Sequence, residues 1–84
     1  MMRAFGSKEL IGCVEFLGFI KKSIAASHAK YEMPKGRPCP SGERPFMIVQ
    51  LEKKGFDKHS ANRYIGELKR KGFSKEEIEA AFND

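Results

Sequence analysis

The sequence predicts an α+β domain, a two-layer α-β-β-β-α sandwich with a short extra helix at its C-terminal end. Three observations predict it. The opening segment has apolar residues at helical spacing, and the middle holds short extended runs separated by turn-forming residues. The last third returns to helical spacing, with helix-start and helix-stop residues in place. A chain of 84 residues allows one core, so residues 1–84 read as a single domain. Domains this small bury only roughly two-thirds of their unfolded surface, and a partner or a second copy would help to stabilise them.

The first helix opens at Ser7, a residue type suited to an N-cap, carries Glu9 in its first turn and stops at Gly18. Leu10, Val14 and Leu17, with Ile11 and Cys13 beside them, form its apolar stripe. Gly12 weakens this helix by about 1 kcal/mol relative to alanine, which points to a close packing contact at that position. The run from Phe19 to Ile24 lacks a helical period and reads as a strand entering a turn near Ala25 and Ala26. From His28 to Met33 the residues alternate, with Ala29, Tyr31 and Met33 on one side and His28, Lys30 and Glu32 on the other. Together the two runs predict an antiparallel hairpin. Residues 34–45 hold all 4 prolines and read as a loop with nothing to pair or pack. Phe46 to Leu51 is the most apolar run and reads as a buried strand.

After a turn over residues 53–57, a second helix starts around His59 and Ser60. It presents Tyr64, Ile65 and Leu68 on one face and ends at Gly72, with Lys69, Arg70 and Lys71 complementing the helix dipole. Ser74-Lys75-Glu76-Glu77 is a capping box that opens the third helix, whose Ile78, Ala81 and Phe82 would dock on the rest.

The net charge is +5, and its distribution matters more than its size: 7 of the 16 basic residues lie between Lys53 and Lys71. Such a patch suits a polyanion, although a merely solvated surface explains charge alone equally well. No apolar run approaches the roughly 18 residues a membrane span needs, so no membrane association is expected. The first residues turn polar at Gly6-Ser7-Lys8-Glu9 without a signal-peptide apolar region, which predicts a cytoplasmic protein. Cys13 reads as a small core residue and Cys39, between two prolines, as incidental. Sequence leaves a Cys13–Cys39 disulfide open, and a reducing compartment argues against it.

Of the two histidines, His59 reads as a helix-start residue. His28 lies on the polar phase of its strand, close to Lys21, Lys22 and Lys30. An imidazole there could take a proton from a ribose 2′-hydroxyl or give one to a leaving oxygen, while lysines hold the phosphate. A lone surface histidine is more often simply solvated. The two histidines lack metal-ligand spacing and company, and no glycine-rich phosphate loop or nucleophile elbow is present, so neither metal nor cofactor is expected.

Ser7-Lys8-Glu9-Leu10-Ile11, Leu17-Gly18-Phe19, Ser27-His28, Tyr31 and Pro34 together resemble the pattern of the HicA toxin family. In that family a K-E-L-I helix ends in G-F, a strand leads to G-S-H, and an aromatic residue and a proline follow; Ala26 stands where that pattern has glycine. Residues 60–74 resemble the family's second helix and its Gly-led turn, and residues 74–78 its polar closing segment. The resemblance implies a fold like that of double-stranded-RNA-binding domains and an mRNA interferase, an endoribonuclease toxin held inactive by a HicB-type antitoxin protein. It also implies that His28 is the catalytic histidine. RNA contacts are then expected from Lys21, Lys22, Lys30, Lys53, Lys54, Lys58 and Arg63. A non-catalytic RNA-binding module of the same fold is the alternative, and a protein whose positive surface binds an acidic partner is a third reading.

Overall fold

The computed structural model describes residues 4–83. The elements follow the order α1 (Ser7–Phe16), β1 (Ile20–Ala25), β2 (His28–Glu32), β3 (Phe46–Gln50), α2 (Lys58–Arg70) and α3 (Lys75–Asn83). The three strands form one antiparallel sheet in the order β1-β2-β3. This is the expected α+β architecture, with helices covering one sheet face.

Strand alternation decides which face is covered. Ala29 lies opposite Val49, and Tyr31 opposite Met47; all four are buried with Leu10, Cys13 and Val14 of α1, Leu68 of α2, and Ile78 and Ala81 of α3. The other phase, His28, Lys30 and Glu32 facing Gln50, Ile48 and Phe46, forms a face that no helix covers. Phe46–Gln50 is therefore not buried on both sides, as its apolar run suggested: Ile48 is 39% exposed. The strand is at the sheet edge, where period-2 alternation needs only one apolar face.

The helix ends hold two corrections. Gly6, not Ser7, caps α1: its N–H donates to the Glu9 carboxylate at 2.8 Å. Ser7 is buried, and its hydroxyl donates to the Gln50 carbonyl and accepts the Lys53 N–H, tying α1 to the end of β3. Chain approaches chain so closely here that a Cβ on Gly6 would collide with the Lys53 and Lys54 carbonyl oxygens. Gly12 makes no such contact: among the described residues a Cβ there would meet nothing within 4 Å, and the expected packing partner is not found. Helix α2 begins at Lys58 because Asp57 caps it, accepting the Ser60 N–H at 3.3 Å. The stops at Gly18 (φ 99°) and Gly72 (φ 100°) and the reciprocal Ser74–Glu77 capping box form as the sequence predicts.

Residues 34–45 differ most from expectation, because they are pinned. The Arg37 guanidinium grips the Glu77 carboxylate with two hydrogen bonds (2.8 and 2.7 Å), donates to the Gly72 carbonyl and lies 4.2 Å over the Phe73 ring. Two-pronged donation from Arg37 holds the Glu77 carboxyl at about 2. The half-buried Cys39 donates to the Glu43 carbonyl, and Glu43 reaches Arg70 (3.3 Å) and Lys71 (3.4 Å). Lys71 does not complement a solvent-facing helix end: it is 1% exposed and also pairs with Glu67 at 3.0 Å. Both cysteines are free thiols, and burial pushes Cys13 up to about 12. No helix among the described residues is long and apolar enough to cross a membrane.

Candidate functional site

His28 opens β2 directly after a two-residue turn, opposite Ala25 on β1 and Gln50 on β3. The turn is tight: Ala26 adopts φ 54°, and the Ser27 carbonyl accepts the Leu51 N–H at 2.7 Å. Its phase sets the exposed His28 on the uncovered sheet face with Lys30 and Glu32.

Helix α2 turns this face into a cleft. It runs along the outer edge of β3, where the Tyr64 hydroxyl accepts the Gln50 N–H at 3.1 Å. Arg63, Glu67 and Arg70 recur at helical spacing and face the strand. With His28, Ile48, Gln50 and residues 42–44 they line a hollow of about 540 Å³. It contains the imidazole, three guanidinium groups (Arg44, Arg63, Arg70) and two carboxylates (Glu43, Glu67).

The carboxylates are already committed. Glu43 serves Arg70 and Lys71, and Glu67 serves Lys71. A buried ammonium needs an anion beside it, because an unpaired one would cost several kcal/mol, and Lys71 has two. Among the described residues no carboxylate pairs with Arg44 or Arg63; each guanidinium lies over a ring instead, Arg44 over Phe46 and Arg63 over Tyr64. Two cations are therefore available to an incoming anion, and Arg70 is shared. No hydrogen bond or ion pair among the described residues orients His28. An imidazole within one cleft of several guanidiniums can exchange a proton beside a bound phosphodiester.

The structure brings together only some of the residues singled out in sequence. His28 and Arg63 share the cleft. Lys30 stands on the same sheet face, 4.4 Å over the Phe46 ring, and Lys22 reaches Glu32 at 3.7 Å. Lys21 lies opposite Tyr31, hence on the other phase of the sheet. Lys53 and Lys54 line a separate groove with Lys8, Ile11 and Leu51, and Lys58 opens α2 outside the cleft. Sequence reasoning did not single out Arg44 and Arg70 among the expected RNA contacts, although both line the cleft. The spacing of Arg63, Glu67 and Arg70 on one helix face could have found the latter; nothing local marks Arg44, which a loop delivers. Among the described residues no group of three or more His, Cys, Asp or Glu could hold a metal ion. Neither a scan against protein-family models nor a search of curated proteins finds a match to this chain.

Proposed function

We propose that this chain is an endoribonuclease of the HicA-type mRNA interferase class, acting on RNA through His28. The observation that carries the reading is the shared cleft of His28 and three arginines at the end of an uncovered, lysine-bearing sheet face. In the reaction, the His28 imidazole takes the proton of a ribose 2′-hydroxyl as that oxygen attacks the adjacent phosphorus. The bond to the 5′-oxygen breaks, leaving a 2′,3′-cyclic phosphate, and water supplies the proton for the departing oxygen. Arg63 and Arg44 hold the phosphate and offset the charge that builds on its free oxygens. Because the nucleophile belongs to the RNA, this chemistry requires no metal.

The resemblance of residues 7–34 and 46–82 to the HicA pattern supports the same reading, and it extends to a cytoplasmic role and to a small acidic HicB-type antitoxin that covers the cleft. One observation favours the alternative, a non-catalytic RNA-binding module: no second group orients His28. Incubating purified RNA with wild type and with His28→Ala in the presence of a chelator separates the two. The nuclease reading expects wild type to cut and His28→Ala to bind without cutting, with cleavage reduced by roughly a hundredfold or more. Equal binding with no cleavage by either protein sinks the nuclease and leaves the binding module.

A further inference from the structure

The reaction proposed for the cleft makes no use of the Tyr64 hydroxyl, although Tyr64 lines the hollow with His28 and Arg63. The body of this side chain belongs to the core: its ring packs on Phe56 at 5.0 Å between centroids, and the residue is buried. Its polar end reaches further. At the outer edge of β3 the phenol oxygen meets the Gln50 N–H at 3.1 Å, and Gln50 is itself part of the cleft wall. Gln50 in turn pairs with His28 on the neighbouring strand. One hydrogen bond, one N–Cα bond and one spacing between paired residues keep the phenol oxygen within about 10 Å of the His28 Cα. A single phosphodiester linkage can touch both side chains.

A phenol hydroxyl has one proton to give and two lone pairs to receive. Gln50 uses one lone pair, and among the described residues no group accepts the proton. The two carboxylates of the cleft are turned to Arg70 and Lys71 instead. The hydroxyl is also held still, because its ring touches Phe56 and the Arg63 guanidinium and its oxygen is fixed by Gln50. An arginine at the end of a long, rotamer-rich side chain must be ordered when it grips an anion. A donor already fixed in place avoids that cost and offers its proton along one line. We propose that the Tyr64 hydroxyl is a phosphate contact of this cleft, donating to one of the two non-bridging oxygens of a bound phosphodiester beside Arg63 and Arg44. The proposal rests on the reading of the cleft as an RNA site and adds a residue that tells the two faces of the linkage apart. The hydroxyl keeps its proton throughout and takes no part in its transfer from the 2′-hydroxyl to His28.

The probe is a 2′-O-methyl uridine dinucleotide, which has one phosphodiester and no free hydroxyl to attack it, with its two phosphorothioate diastereomers. Each diastereomer carries sulfur, a poor hydrogen-bond acceptor, in place of one non-bridging oxygen. All three are titrated into the millimolar range against the full chain, with NMR signals of His28 and Arg63 reporting the cleft. Wild type should bind the parent more tightly than one diastereomer by roughly tenfold, and Tyr64→Phe should lose most of that ratio. A purely structural effect, through the Gln50 N–H left without its acceptor, would weaken all three ligands alike and keep the ratio. Tyr64→3-fluorotyrosine retains ring and hydroxyl but makes the phenol a stronger donor and a weaker acceptor. It should tighten the parent dinucleotide, whereas a hydroxyl that serves Gln50 alone gives a loss or no change. If Tyr64→Phe fails to fold, the fluorine arm decides alone. Binding at the cleft with an unchanged ratio in Tyr64→Phe, or without tightening by fluorine, overturns the proposal and leaves the RNA reading standing. A wild type whose His28 and Arg63 signals ignore the dinucleotide overturns the RNA reading, and the proposal with it.

Discussion

Two single residues, Ala26 in the turn between β1 and β2 and Gly12 in α1, bear on stability in opposite ways. At Ala26 the backbone is in the left-handed region (φ 54°), which costs an L-residue with a Cβ about 1–2 kcal/mol. Glycine avoids that cost at a penalty of about 0.5–1 kcal/mol in chain entropy. Ala26→Gly is therefore expected to raise stability by about 0.5 kcal/mol, read as a higher urea midpoint at unchanged slope. At Gly12 the balance reverses, since the backbone is helical and a Cβ meets nothing within 4 Å. Gly12→Ala should stabilise the fold by about 0.5–1 kcal/mol. A smaller gain would mean that the glycine relieves a strain the geometry does not reveal. The turn at Ala26 was legible in the sequence, whereas the role read for Gly12 belongs to another glycine. Gly12 was the expected close contact, yet it is Gly6 that meets another backbone. A helical period says which face a residue is on and nothing of what approaches that face.

At the scale of elements, the segment 34–45 is the one whose behaviour composition misrepresents. Its prolines remove backbone donors and suggest slack, yet two charged side chains, Arg37 and Glu43, fasten it to α3 and to the end of α2. Glu77 titrates in the folded protein at about 2 rather than 4.5, so the folded state holds fewer protons than the unfolded one between those values. The resulting stabilisation is complete above about 4.5 and is lost as pH falls through about 2. Wild type and Glu77→Gln should accordingly differ in stability at neutral pH and converge in acid; a constant gap from pH 7 to pH 2 would exclude the Arg37 pairing as its source. Arg37→Ala should expose the segment to trypsin at Lys35 under conditions where wild type resists. Element order, both glycine stops and the second capping box could be read from the chain because each depends on residues a few positions apart. The fastening could not: Arg37 and Glu77 are 40 residues apart, and only the folded topology joins them.

For the whole molecule, measuring 32 × 31 × 23 Å, the placement of charge decides more than its sum. The basic cluster that stands out between residues 53 and 71 is divided by the fold. Arg63 and Arg70 enter the cleft, Lys53 and Lys54 line a different groove, and Lys71 is buried. His28 was legible because strand alternation fixes its phase. Its neighbours were not, because β3, α2 and a distant loop each contribute one wall. If RNA lies in this cleft and along the adjoining face, its affinity should fall with salt as roughly two to four phosphate contacts require, a slope of about −1.4 to −2.8 on logarithmic axes for a single strand. Arg63→Ala should lessen that slope by about 0.7, while Lys53→Ala should leave it nearly unchanged. Equal effects from the two substitutions would move the RNA off the cleft.

Glu43 gives this salt dependence a built-in offset. Because its carboxylate already neutralises Arg70, a phosphate that displaced it would shed its own condensed sodium while Glu43 took up a cation in exchange, so the net release would be close to zero. Counting arginines therefore overstates the ions set free, and binding is less sensitive to ionic strength than the cleft's composition suggests. Removing the offset with Glu43→Gln, which leaves Glu67 to hold Lys71, should tighten RNA binding at low salt. The same change should steepen the salt slope by about 0.7. On that reading, an anion stored among the cations of the cleft would set the ionic range in which the fold could hold an RNA.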